Sequence, residues 1–177
     1  AGRVNKLFRR FERHLSQAGL MGHEGKIIDA SFVDVPRQRN SREENEEIKA
    51  GKVPESFHEN GNRLRQKDVE ARWAKKGEEV HYGYKDHVKV DRTTKLIEDY
   101  EVTDACVHDS QAVEDLVEED DGTLHADSAY SGEKIETILK ENGVKGEICE
   151  KGYRDHPLTE KQKKSNRNKS RIRARVE

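Results

Sequence analysis

The stretch GKIIDASFVDV, residues 25–35, reads as a β-strand with a carboxylate in its middle. Successive side chains of a strand alternate between faces, so Ile28, Ala30 and Phe32 share one face and Ile27, Asp29, Ser31 and Val33 the other. Pro36 helps to end the strand, because proline lacks an N–H and restricts the residue before it. A carboxylate among apolar neighbours is costly unless something compensates it. A bound cation is one such compensation, which makes Asp29 the first candidate site residue.

Other periodic segments give the fold class. Residues 6–20, KLFRRFERHLSQAGL, place Leu7, Phe8, Phe11 and Leu15 at helical spacing and end in glycine. HYGYKDHVKVD (81–91) alternates as a strand, and LIEDYEVT (96–103) after a turn is its expected hairpin partner. Asp109 or Ser110 can cap a short acidic helix with Val113, Leu116 and Val117 inward. TLHADSAYSG gives a short strand ending near Asp127. Ser131 can then cap a helix bearing Ile135, Ile138 and Leu139, closed by Gly143. VKGEIC supplies another strand, and a basic helix follows, with Thr159 and Gln162 at capping-box spacing. Strands interleaved with helices predict a mixed α/β domain, helices packed against a sheet.

Between Arg37 and about Lys76 the periodicity fails. That stretch is charged and glycine-containing, with almost nothing to bury, and is expected to be mobile or ordered by a partner. Only 31% of the chain is apolar and 40% is charged, against about 45% apolar in an ordinary domain. A compact core with long polar insertions follows, and 177 residues suffice for one domain. No run approaches the ~18 apolar residues of a membrane span, and no signal-like start is present, so an intracellular, cytoplasmic chain is expected. Cys106 and Cys149 lack a CxxC pattern and read as buried small hydrophobes.

The formal charge of −2 conceals a segregation. Residues 1–26 hold six Lys/Arg and two acids, and residues 151–177 hold ten and three. Residues 98–121 hold eleven acids and no Lys or Arg. A basic surface suited to phosphate beside an acidic one is the implied distribution. Lys161, Lys163, Lys164, Arg167, Lys169, Arg171, Arg173 and Arg175 form a candidate DNA-backbone surface, the alternative being a solvated charged helix. The acidic run Glu118–Asp121 lacks a calcium-loop pattern and reads as a solvated helix end. His81 and His108 read as surface or local hydrogen-bonding residues, and Trp73 either stacks on a displaced base or anchors its loop.

Position selects three carboxylates: Asp29 in an apolar strand, Asp127 at the end of another, and Glu177 on a helix that is otherwise basic. The stretches IIDASFVDVPRQ, HYGYKDHVKVD, HADSAYSG and RIRARVE, in this order, resemble the transposases of the IS4/IS5 insertion-sequence class, DDE enzymes with an RNase H-like fold. The resemblance implies that residues 1–22 are the tail of an N-terminal element. It implies that 23–177 is an RNase H-like catalytic domain with a polar insertion at about 37–76, truncated at its C-terminus. It assigns Asp29, Asp127 and Glu177 as catalytic metal ligands, with Asp29 bridging and Tyr130 as the aromatic of the AD-x-x-Y element. The matching cofactor is Mg²⁺, with Mn²⁺ able to substitute, since carboxylates are hard oxygen donors and two such ions ~3.5–4 Å apart serve phosphodiester chemistry. Arg173 either contacts a phosphate or orients Glu177, and Lys85 and His87 of the GYK-x-H element either approach DNA or are structural. Ser170 stands where the family often has tyrosine, and the family's following lysine would lie past the last residue.

The expected function is metal-dependent cleavage and strand transfer at the terminal repeats of an insertion sequence, on double-stranded DNA and as a homo-oligomer. The alternative is a catalytically inactive DNA-binding remnant. A sugar hydrolase with an acid–base carboxylate pair explains neither the basic helix nor the ordered motifs.

Overall fold

The computed structural model describes residues 2–22 and 24–174. In chain order the elements are α1 (Arg3–Gln17), β1 (Lys26–Asp34), α2 (Arg42–Lys49), α3 (Glu55–His58), α4 (Gly61–Gln66), β2 (Arg72–Lys76) and β3 (Glu79–Asp91). β4 (Ile97–Asp104), α5 (Val113–Leu116), β5 (Thr123–Ala126), α6 (Glu133–Glu141), β6 (Lys145–Ile148) and α7 (Glu160–Arg173) follow. The strands form one sheet of order β2-β3-β1-β5-β6, with β4 paired to β3. β2 and β3 are antiparallel, while β1 with β5 and β5 with β6 are parallel. This mixed sheet flanked by helices is the RNase H-like α/β arrangement expected from the sequence.

The chain divides into two compact units, and β1, β3 and β4 each begin in one and end in the other. The first unit comprises the chain up to Ala30, His87–Glu101 and the residues from His108 onward. Its apolar core joins Ile28 of β1 and Leu124 and Ala126 of β5 to Val113 and Leu116 of α5 and Ile135, Ile138 and Leu139 of α6. Because strand side chains alternate, Ile27 and His125 point to the opposite sheet face, and α7 packs against β5. Gly143 ends α6 in the left-handed region, φ 66°, where its neighbour Val144 donates back to the Leu139 carbonyl.

α1 buries less than its spacing promised. Leu15 is buried and Phe8 meets Tyr100 edge-on at 4.9 Å, but Leu7 and Phe11 are exposed. An ion pair in which Nη2 of Arg9 donates to both carboxylate oxygens of Asp99, at 2.8 and 2.9 Å, fastens the helix. Two caps also differ. His108, not Asp109 or Ser110, accepts from the Ser110 N–H ahead of α5, and α6 begins at Gly132, leaving Ser131 to donate to the Ser128 carbonyl.

The second unit comprises Ser31–Asp86 and Val102–Val107. Here the charged stretch after β1 is ordered within the chain rather than left to a partner. Ser41 and Glu44 form a capping box at the head of α2. Glu44, 6% exposed, also accepts from the Ser56 hydroxyl at 2.7 Å and the Arg63 guanidinium at 2.6 Å, so one carboxylate ties three helices together. Ile48, Pro54, Phe57 and Ala71 are the few apolar residues buried in that stretch. Gly83 crosses β1 so closely that a Cβ would overlap the Val33 carbonyl oxygen, and its φ of 151° also favours glycine. Trp73 neither lies buried nor leaves the sheet. It is half exposed, tilted against Tyr82 at 4.8 Å, with the Arg37 guanidinium over its ring. Cys149 is buried as expected, but Cys106 is exposed.

Candidate active site

Asp29 lies within β1 and Asp127 immediately follows its parallel neighbour β5, both in the first unit. Lys26 stands level with Leu124 and Ile27 with His125, and continuing that register two residues sets Asp29 level with Asp127. Adjacent strands run ~4.8 Å apart, so the two residues lie about one strand spacing from each other. One oxygen of Asp127 accepts the Ala129 N–H at 2.7 Å, capping the single helical turn Ser128–Tyr130. Oδ1 of Asp29 accepts the Ala30 N–H at 3.0 Å. It also accepts from Nη2 of Arg173, in the last turn of α7, at 3.3 Å.

Tyr130 lies close enough to both carboxylates to feel their charge. It is 1% exposed, and its hydroxyl has no hydrogen-bond partner. Burial pushes its pKa well up, and the negative charges of Asp109, Asp29 and Asp127 push it further against the opposing Arg173 guanidinium. Paired carboxylates are the hard oxygen donors that Mg²⁺ and Mn²⁺ take, and an unpartnered buried hydroxyl beside them is a group that an ion's water shell can satisfy. These residues fit a divalent cation. Among the described residues no group of three acidic, histidine or cysteine side chains is gathered to hold one. The third expected ligand, Glu177, lies outside the described residues, as does Arg175.

α7 starts at the expected capping box, Thr159 accepting from the Gln162 N–H. Lys161, Lys164, Arg167 and Arg171 are exposed along it, and a groove of about 560 Å³ runs beside Leu158, Lys163, Arg167, Ser170 and Arg171. Besides Arg173, two of the candidate DNA contacts on α7 are engaged within the fold. Lys169 donates to the Ile148 carbonyl at 2.7 Å, and Lys163 pairs with Glu160 at 2.8 Å. Lys85, in the second unit, donates to the Val107 carbonyl at 2.6 Å. His87 is fully buried, so its side chain offers no surface to a phosphate in this conformation. Among the remaining sequence candidates, His81 pairs with Asp34 at 3.3 Å and His108 with Ser110 at 2.8 Å.

Sequence reasoning missed the buried charges around the sheet. Lys89, 1% exposed, meets Glu118 at 2.6 Å and Asp121 at 3.2 Å, so the acidic run is partly drawn inward rather than wholly solvated. Lys26 similarly meets Glu98 at 2.5 Å and Asp91 at 3.6 Å. His125, next to Ala126 and 3% exposed, has no hydrogen-bond partner at either ring nitrogen, and burial lowers its pKa. An acid-rich segment facing strand lysines was the available signal, but spacing alone does not pair residues so distant.

A family model described as the transposase DDE domain matches residues 21–177. No solved structure matches the chain.

Proposed function

The chain belongs to the transposase DDE domain family, and from that premise we propose that it cleaves and joins DNA phosphodiesters at the terminal repeats of an insertion sequence. What supports this reading most is the parallel register of β1 and β5, which, continued two residues, sets Asp29 level with Asp127. Asp29, Asp127 and Glu177 are the proposed ligands, and Mg²⁺ is the proposed ion. When bound, such ions lower the pKa of a water or hydroxyl and stabilise the oxygen that leaves phosphorus. The chain's own residues do the rest. β1 holds Asp29, the turn after β5 holds Asp127 through the Ala129 N–H, and the exposed cations of α7 hold the DNA backbone without reading sequence. Double-stranded DNA is the proposed partner, with a second copy of the chain joining it there.

The test is nicking of a terminal-repeat duplex in Mg²⁺ by the wild type, D29N and D127N. Loss of at least ~100-fold in both variants is expected, since each removes a ligand charge. Equal nicking by all three proteins defeats the assignment. DNA affinity measured from 50 to 200 mM salt should fall steeply, by ~10³ or more for six or so phosphate contacts.

A second reading, DNA binding without cleavage, is favoured by one contact: the Arg173 guanidinium already sits on an oxygen of Asp29. Salt-sensitive binding by a wild type that never nicks is its signature.

A further inference from the structure

We propose that Arg173 is an exchangeable counter-ion, neutralising Asp29 when no divalent cation is bound and competing with that cation for the same carboxylate. The proposal rests on the reading of Asp29 and Asp127 as cation ligands.

The first support is the geometry of the contact. Arg173 reaches Asp29 through one nitrogen at 3.3 Å, while charge-assisted pairs usually close to about 2.7–2.9 Å. Its Nε is buried and donates to nothing. The same unit shows what a permanent arginine anchor looks like. Arg9 also uses a single nitrogen, Nη2, yet sets it on both oxygens of Asp99 at 2.8 and 2.9 Å although its side chain is 50% exposed, against 16% for Arg173. The more buried arginine therefore makes the looser contact. A guanidinium held in this way neutralises charge without being locked in place.

The second support is the oxygen that it uses. Oδ1 of Asp29 already accepts the Ala30 N–H as well as Nη2 of Arg173. A hard cation taking that oxygen must displace the guanidinium, because two positive groups cannot share one lone-pair direction at contact distance. Arginine stays protonated, so deprotonation cannot relieve the conflict. Only movement of the side chain can, and Arg173, in the last turn of α7 next to the C-cap residue Ala174, needs side-chain rotation rather than refolding.

The third support is the balance of charge. Removing Arg173 takes one positive charge from beside Asp29, which leaves Asp29 and Asp127 more repulsive to each other and more attractive to a divalent ion. Arg173 thus sets the affinity of the site by mass action. The two positive species are negatively coupled, and the coupling is reciprocal.

The test uses the metal alone and no DNA. Mn²⁺ is titrated into the wild type, R173Q and D29N, with free Mn²⁺ counted by its paramagnetic resonance signal. R173Q should bind about tenfold more tightly than the wild type, the effect of removing one screened unit charge beside the ion. It should also unfold at a lower temperature than the wild type in chelator and gain more from added Mn²⁺. Equal or weaker binding by R173Q overturns the proposal. Undiminished binding by D29N instead overturns the underlying reading of the site, whatever R173Q does. A measurement on the wild type needs no folded R173Q. The Arg173 side-chain Nε resonance, assigned by its loss in R173K, should move as Mg²⁺ saturates, and a fixed resonance at saturating Mg²⁺ overturns the exchange.

Discussion

Asp127, one residue past the end of β5, falls level with Asp29 of β1 when the parallel register is continued, and the Arg173 guanidinium is set against Asp29 at 3.3 Å. Neutralising one of the pair should stabilise the free protein and harm its chemistry. In chelator, D127N should gain about 1 kcal/mol, which for a chain of this size is about 2–4 °C in unfolding temperature. Calorimetry checks the gain, and nicking of terminal-repeat DNA checks the loss. A lower unfolding temperature for D127N would mean that the capping bond to Ala129 outweighs the repulsion.

Tyr130 separates shape from polarity. Its ring is part of the apolar core while its hydroxyl is buried without a partner. Y130F removes only the unsatisfied group and should be neutral or stabilising by up to about 1 kcal/mol. Y130A leaves a cavity and should cost about 3–5 kcal/mol. Urea unfolding of both variants tests the contrast, and a destabilised Y130F would reveal an acceptor for the hydroxyl.

Asp91 predicts the acid limb of stability. Burial alone would raise its pKa, but the Thr94 N–H and hydroxyl, Lys26 and the Thr93 N–H together hold it below the usual carboxylate range. With the folded pKa depressed, the unfolded chain takes up the proton first. The contribution is therefore complete above the ordinary aspartate pKa of about 3.9 and is lost as pH falls through the folded value. The stability difference between the wild type and D91N, followed by urea midpoints, should be constant near neutrality and shrink below about pH 4. A difference that grows on acidification contradicts this.

Lys89 should be intolerant of single replacement. K89M leaves Asp121, whose side chain is 3% exposed, without its cation and should cost about 3–5 kcal/mol. The double variant K89M/D121N should recover most of that loss, since no buried charge is left over. Glu118, with a side chain 67% exposed, should matter little to either result. A double variant no better than K89M would place the cost in packing instead.

The elements that local rules govern were legible in the sequence. Alternation gave β1, β3 and β5, and with them the strand positions of Asp29 and Asp127. Capping chemistry gave the start of α7, and a left-handed glycine gave the end of α6. What escaped was polar and non-local. Alternation places Lys85, His87 and Lys89 in one series, yet His87 and Lys89 are buried and the carboxylates that meet Lys89 lie in another segment. The stretch from Arg37 to Lys76 looked unstructured because it offers little apolar surface, whereas a buried carboxylate, Glu44, organises its helices. For Arg173 the i,i+4 spacing pointed along the helix to Glu177, and no local pattern could have named Asp29.

Arg173 and Asp29 are 144 residues apart in the sequence. During synthesis from N- to C-terminus, Asp29 and then Asp127 leave the ribosome before the residue that offsets their charge. A nascent chain that has just completed β6 already holds both aspartates but not yet the Arg173 guanidinium. At that stage dissolved divalent ions can offset the charge that Arg173 offsets in the finished chain.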